Sequence, residues 1–148
     1  MTVFADSSAL VKLYVDEADA EVIRVVPSCV VSAVARVEVP AALWRKVRTG
    51  DLAVEQVALL LADFEADWYG EPAGAAPRFL PVAAGLPVLE LAARATAGHG
   101  LRAYDAVQLA SAAVARAAAP EVDVVACFDD RLRAAVAAEG FALLPPAL

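Results

Sequence analysis

Short β-prone apolar runs alternate with helical segments along this chain, and that alternation restricts its fold more than any other feature. In residues 2–17, TVFADSSALVKLYVDE, the run Val3-Phe4-Ala5 ends abruptly at Asp6, and apolar residues then recur at helical spacing. Residues 122–127, VDVVAC, precede a second such helix, which opens at Asp129-Asp130 and runs to about Ala138. Strands that alternate with helices favour a parallel sheet with helices on both faces.

The rest of the chain divides in the same way. Further strands are predicted at 29–31, 79–82 and 142–144, and further helices at 16–26, 33–48, 53–68, 87–98 and 101–118. Pro40 lies inside the 33–48 helix and cannot bond the carbonyl of Arg36, so we expect a kink or a loosened turn next to Glu38. The sequence therefore predicts a single domain over residues 1–148, a three-layer α/β/α sandwich around a mostly parallel sheet of four to five strands.

Composition and charge narrow the classes of protein to consider. Apolar residues make up 61% of the chain, yet no uninterrupted apolar run is long enough to span a membrane. No signal peptide is evident, so we expect a cytoplasmic protein. The net charge of −7 does not suit a protein that grips nucleic acid through its whole surface. It favours a basic partner, or a metal site whose acids count as free charges.

Four carboxylates occupy comparable places in this pattern. Asp6 and Asp129 each follow a strand and precede a helix, Glu38 lies early in the third helix, and Asp105 lies in the first turn of a later one. In a parallel sheet all four can converge at one edge, where their repulsion would require cations or protons. Oxygen ligands alone favour Mg²⁺ or Mn²⁺, and phosphoryl transfer is the chemistry that such sites often serve. Spacing alone leaves helix capping, a helix-dipole contact and a solvated helix face open as alternatives.

Four motifs, in this order and at this spacing, carry a resemblance to a known family. They are FADSSALVKLYVDE at 4–17, SAVARVEVPAALWRK at 32–46, GLRAYDAVQLASA at 100–112 and CFDDRLRAAV at 127–136. The chain resembles the PIN-domain family over essentially its whole length, and within that family it is similar to the VapC-type toxins of bacterial toxin–antitoxin pairs.

The resemblance implies an endoribonuclease that depends on magnesium or manganese and leaves a 5′-phosphate and a 3′-hydroxyl. It places the catalytic and metal-binding acids at Asp6, Glu38, Asp105 and Asp129. Asp6 and Asp105 are expected to be direct ligands, with Glu38 and Asp129 completing the pocket directly or through waters. Asp129 is preferred to its neighbour Asp130 because the family pattern places the acid three residues before a hydrophobic residue, here Leu132.

Residues beside these acids have two interpretations each. Ser7 and Ser8 could support a bound metal through their hydroxyls, or they could cap the first helix. Arg36 and Arg102 could contact RNA phosphate through bidentate hydrogen bonds, or they could form local salt bridges to the acidic cluster.

The resemblance also implies partners. These are an RNA substrate, a cognate VapB-type antitoxin that occupies the cleft, and a second copy of the chain in a homodimer or a toxin–antitoxin hetero-oligomer, with DNA contacted only through the antitoxin. The main alternative is a PIN-domain nuclease that acts on other RNA or on DNA outside such a pair. A non-enzymatic signalling module is disfavoured, because a phosphoacceptor receiver domain needs a lysine at the end of its last strand, and the only lysines are Lys12 and Lys46.

Overall fold

A five-stranded sheet forms the centre of the protein in this computed structural model, which describes residues 2–146. Its strands are β1 (Thr2–Ala5), β2 (Cys29–Ser32), β3 (Phe79–Val82), β4 (Val122–Ala126) and β5 (Ala142–Leu144). The helices are α1 (Ser7–Tyr14), α2 (Ala20–Arg24), α3 (Ala35–Arg48), α4 (Val54–Tyr69), α5 (Leu86–His99), α6 (Ala103–Ala118) and α7 (Asp130–Ala138). Every strand pairs in parallel with its neighbours.

Helices cover both faces of the sheet because alternate strand residues are apolar on each side. On β1, Val3 and Ala5 belong to a core shared with α1, α2, α3 and α4, whereas Phe4 belongs to a second core shared with α5, α6 and α7. The predicted three-layer α/β/α sandwich is therefore confirmed, with a sheet that is wholly parallel over the described residues.

The order of the strands, β3-β2-β1-β4-β5, places the first strand in the middle of the sheet. The chain builds outwards from β1 through β2 to β3, then returns to the other side of β1 for β4 and β5. Ala5 at the end of β1 pairs with Val31 on one side and with Ala126 on the other. In such sheets the crevice at the point where the order reverses is a preferred ligand site. Here that point lies between β1 and β4.

Most of the apolar content of the chain lies between these layers. Cys29 and Cys127 are buried free thiols. Among residues 2–146, every helix is too short or too polar to cross a lipid bilayer.

Several helices begin later than the sequence predicts, including the helix predicted at 101–118, which begins at Ala103. The helix predicted at 16–26 is only Ala20–Arg24, because Asp19 has a left-handed backbone, with a φ of 62°, that a right-handed helix cannot include. The helix predicted from residue 33 begins at Ala35, because the Ala33 amide still donates to the carbonyl of Val82 at the end of β3. Helix α3 then continues without interruption through Pro40, so the hydrogen bond that Pro40 cannot make to Arg36 does not end the helix next to Glu38.

Candidate functional site

A cavity of about 730 Å³ lies at the carboxyl edge of the sheet. All four predicted acids line it, and we call this space the acidic cavity: Asp6, Glu38, Asp105 and Asp129. Asp6 comes from the junction of β1 and α1, and Asp129 from the loop after β4, so these two lie on either side of the switch point of the sheet. Glu38 and Asp105 come from the first turns of α3 and α6.

Asp6 is buried, with 4% of its surface exposed. One carboxylate oxygen, Oδ1, caps α1 by accepting from the amide of Ala9 at 2.9 Å, and the Ser8 hydroxyl donates to it at 2.7 Å. The Cys127 thiol donates to Oδ2 at 3.4 Å. Burial raises the pKa of Asp6 to about 6, the nearby charge of Glu38 adds to the rise, and the three hydrogen bonds oppose it. Asp6 therefore retains a proton more readily than an ordinary aspartate.

Glu38 is half-buried and is held through one of its two oxygens. Its Oε1 accepts from the side-chain amide of Gln108 at 2.8 Å and from the hydroxyl of Ser7 at 3.1 Å. Burial raises the pKa of Glu38, and so does the charge of Asp105, while both hydrogen bonds oppose the rise. Glu38 thus connects α3 to α1 and α6 inside the cavity.

Asp105 and Asp129 complete the acidic wall. Burial raises the pKa of Asp105, as does the charge of Asp129, and Arg102, 3.6 Å away, opposes the rise. Asp129 caps α7, since its Oδ1 accepts from the amide of Leu132 at 3.0 Å. Asp130 lines a separate cavity beside β5. Capping and cavity lining are therefore compatible roles for Asp129, as they are for Asp6.

Three of these carboxylates have a pKa that is raised by the charge of a neighbour. Glu38 raises the pKa of Asp6, Asp105 raises that of Glu38, and Asp129 raises that of Asp105. The oxygen-only set of donors suits a hard divalent cation, which would relieve this repulsion. Within residues 2–146, no group of three or more His, Cys, Asp or Glu side chains is already placed to hold a metal ion. The chemistry of the donors therefore fits Mg²⁺ or Mn²⁺, while a complete set of ligands is not preformed.

The serine and arginine residues predicted beside the acids differ in their contacts and in their exposure. Ser7 donates to Glu38, and Ser8 donates to Asp6 while accepting from the amide of Phe128 at 3.0 Å, so both hydroxyls contact the acidic wall. Arg102 extends into solvent beside Asp105, with 74% of its side chain exposed.

Arg36 is directed towards α4. It forms an ion pair of 2.8 Å with Glu65 and a hydrogen bond to the hydroxyl of Tyr69. Its local salt bridge is therefore with α4, not with the acidic cluster.

Sequence reasoning missed three contributors to the site. Gln108 contacts Glu38, and its signal was a polar residue three positions after Asp105, on a helix whose buried residues are mostly apolar. Arg45 and Arg48 also line the acidic cavity and form no ion pair among the described residues. Arg45 lies two helical turns after Glu38, a spacing that keeps both side chains on one face of α3.

Comparison with models of known protein families gives no match for this chain, and comparison with curated proteins gives none either. The resemblance to the PIN-domain family remains a prediction from the four motifs. Functional inference therefore depends on the geometry and charge of the acidic cavity.

Proposed function

We propose that this protein is a metal-dependent endoribonuclease of the PIN-domain type, and that it serves as the VapC-like toxin of a toxin–antitoxin pair. One observation carries the proposal: four carboxylates from four separate segments of the chain line one cavity at the switch point of a parallel sheet. Two of them already cap helices, yet all four share the same space, and their charges raise one another's pKa values. Clustered carboxylates with perturbed pKa values in a cleft are typical of functional sites.

Each residue has a distinct role in this proposal. Asp6 and Asp105 are the principal ligands of Mg²⁺ or Mn²⁺, and Glu38 and Asp129 complete the pocket. A divalent cation bound there supplies Lewis-acid polarisation of the phosphate and stabilises the departing oxygen. Burial raises the pKa of Glu38, which makes this carboxylate a better proton acceptor than an ordinary glutamate.

The reaction that follows is hydrolysis of a phosphodiester bond. Water gives a proton to the carboxylate cluster, its oxygen bonds to phosphorus, and the bond from phosphorus to the 3′ oxygen breaks. The departing 3′ oxygen then takes up a proton. The products are a 5′-phosphate and a 3′-hydroxyl.

Positive charge that lines the same cavity supports a polyanionic substrate. Arg45 and Arg48 lie on the C-terminal half of α3 and line the same cavity as the acids. Free guanidinium groups match phosphate oxygens in geometry. Tyr104, which is 60% exposed, also lines the cavity and offers an aromatic surface for stacking of an unpaired base.

The acidic cavity also suits an inhibitor that carries positive charge. An antitoxin that inserts Arg or Lys side chains among the carboxylates would neutralise them and exclude RNA. We expect such an antitoxin to supply any contact with DNA. As part of this proposal, we also expect the toxin to form a homodimer and to be located in the cytoplasm.

A phosphoacceptor receiver domain is the less favoured function. The flavodoxin-like sheet of receiver domains has the strand order 2-1-3-4-5. Here the order is β3-β2-β1-β4-β5. Lys12 lies on α1 and Lys46 on α3, so neither lysine follows a strand as the receiver mechanism needs.

Cleavage of total cellular RNA by the purified protein tests the proposal. We expect cutting that requires Mg²⁺ or Mn²⁺ and stops with EDTA. Asp6→Asn and Asp105→Asn should each lower the rate at least 100-fold, because each removes a charge from the metal pocket. The rates are read from fragment patterns on denaturing gels and from a fluorogenic RNA oligonucleotide.

Asp130→Asn is the matched control, since Asp130 adjoins Asp129 in sequence and lines a different cavity. This variant should cut RNA like the wild type. Equal activity of all four proteins would contradict the acidic site. If the protein cuts single-stranded DNA and does not cut RNA, the substrate is DNA and the proposal of a ribonuclease is wrong.

A further inference from the structure

Gln108 joins three helices at the acidic cavity. It is only 2% exposed and lies one turn after Asp105 on α6. Its Nε2 group donates to Oε1 of Glu38 at 2.8 Å and to the hydroxyl of Ser7 at 2.9 Å. The Ser7 hydroxyl donates to the same Glu38 oxygen. A single amide group thus connects α1, α3 and α6 next to the acids.

The carbonyl end of the Gln108 amide has no comparable partner. Its Oε1 atom is buried and accepts no hydrogen bond from residues 2–146. A buried acceptor without a partner is unfavourable. Rotating the amide by half a turn would place this oxygen against the Glu38 carboxylate, which is worse. The need of Glu38 for donors therefore determines how Gln108 is oriented.

Both donors act on the same oxygen of Glu38. Oε1 receives the hydrogen bonds from Gln108 and Ser7, whereas Oε2 receives none from the described residues. A carboxylate held through one oxygen keeps the other available in a defined direction. Hydrogen-bond partners of this kind commonly orient the residues that bind metal ions.

We propose that Gln108 is a positioning residue, which holds Glu38 and Ser7 so that the second oxygen of Glu38 remains free for the ligand of the acidic cavity. This inference rests on the proposed function for the identity of that ligand, a divalent cation with an RNA phosphate. Gln108 acts through Glu38 and does not itself touch the reacting atoms.

The contact can be tested without metal or RNA. In ¹⁵N-labelled, metal-free protein, Gln108→Leu identifies the side-chain amide signals of Gln108. In the wild type we expect these signals to exchange slowly with solvent, and we expect Glu38→Ala to shift them and speed their exchange. Glu65→Ala, a matched loss of a helix carboxylate that pairs with Arg36, should leave them unchanged. If Glu38→Ala leaves the positions and exchange rates of these signals unchanged, the proposal is overturned.

The consequence for activity is tested with a defined RNA oligonucleotide. Gln108→Leu should lower kcat by about 10- to 100-fold, as is usual for residues that orient metal ligands. KM should change little, because the substrate-binding wall is intact. In the Glu38→Ala background, Gln108→Leu should cause no further loss, because the two residues act as one unit. Fully additive losses in the double variant would overturn the proposal.

Ser111→Ala is the control for a general effect on α6. Ser111 lies one turn beyond Gln108, is fully buried, and donates to the hydroxyl of Ser32 at 2.9 Å without contacting the acids. This variant should keep the wild-type kcat. Thermal unfolding establishes that each variant is folded, and Gln108→Met, with an unbranched side chain, replaces Gln108→Leu if that protein does not fold.

The outcomes separate this inference from the proposed function. If the wild type cuts no RNA while the Gln108 signals depend on Glu38, the nuclease proposal fails and the positioning of Glu38 by Gln108 stands. If the wild type cuts RNA and Gln108→Leu cuts equally fast, the nuclease proposal stands and the positioning role fails.

Discussion

Asp6 shows how one residue can serve both a helix and a site. Its carboxylate caps α1, which explains its place in the sequence without any catalytic role. The same carboxylate lies in the acidic cavity, where burial raises its pKa to about 6. Helix caps point to the edge of the sheet where ligands bind, so structural and chemical demands coincide there. A capping pattern in the sequence therefore does not argue against a functional acid.

The raised pKa of Asp6 predicts that the metal-free protein loses stability as pH rises. The folded chain holds the Asp6 proton more tightly than the unfolded chain, whose carboxyl titrates near 3.8. This stabilising contribution is complete below about pH 4 and is lost as pH rises through about 6. The difference between the two pKa values corresponds to about 3 kcal/mol. Urea unfolding in EDTA at pH 5 and pH 7.5 should show roughly half of this difference, about 1.4 kcal/mol, because pH 5 lies above the unfolded pKa.

Asp6→Asn should flatten this pH dependence, because asparagine does not ionise. Asp123→Asn, which changes an exposed aspartate on β4, is the control and should keep the wild-type slope. The same pH dependence in all three proteins would show that Asp6 is not the group responsible.

At the residue scale, the sequence predicted the acids and the two serines that contact them, but not Gln108. The four carboxylates could be found because each follows a strand or opens a helix. The contacts of Gln108 could not be predicted from its position near Asp105, because its partners Ser7 and Glu38 lie 101 and 70 positions away along the chain. Arg36 had a plausible place beside Glu38, yet only the packing of α4 reveals that its partner is Glu65.

Among the elements, α3 combines the most functions. Its first turn carries Glu38, its last turns carry Arg45 and Arg48, and Pro40 lies between them. Local spacing was sufficient to predict the strands β3 and β5, whose bounds are those expected. It was insufficient for α2, because apolar spacing does not record the left-handed backbone of Asp19, with a φ of 62°, after which that helix begins.

Pro40 should cost the protein stability while leaving the site intact. Pro40→Ala restores an amide that can bond the carbonyl of Arg36, and the unfolded chain becomes more flexible in return. The net gain in the free energy of unfolding should be roughly 2 kcal/mol. RNA cleavage should stay close to the wild-type rate, because Gln108 and Ser7 hold Glu38 independently of this turn. Chemical denaturation and the fluorogenic assay measure the two effects.

Pro87→Ala provides the comparison. Pro87 lies in the first turn of α5, where an amide would have no helical partner, so its replacement should bring no gain. Equal stabilisation by both substitutions would show that the missing bond to Arg36 is not the cause.

For the whole molecule, the sequence predicted the three layers of the fold but not which strands are neighbours in the sheet. Alternating strands and helices were enough to infer a parallel sheet between two helical layers. The position of β1 between β2 and β4 depends on which strands pair over long distances, and no local pattern records that choice. This order makes the site, because it brings the end of β1 next to the end of β4.

Charge at the scale of the whole protein predicts stabilisation by divalent cations. The net charge of −7 includes carboxylates that repel one another in the acidic cavity. Mg²⁺ or Mn²⁺ at 100 times its dissociation constant should stabilise the fold by about 2.7 kcal/mol. Thermal unfolding at pH 7.5 measures this, with NaCl of equal ionic strength as the control. Asp6→Asn and Asp105→Asn should weaken the effect, and an equal response to NaCl would argue against a specific site.

The central place of β1 also sets when the acidic cavity can assemble during synthesis. Asp6 leaves the ribosome well before Asp129, and β1 gains its second neighbour only when β4, which Asp129 follows, has emerged. At roughly 5–20 residues per second, the intervening 120 or so residues take about 6–24 s to translate. A nascent chain that stops before β4 carries three of the four acids on an incomplete sheet. The fold thus delays completion of the site until β4 and the start of α7 have been made.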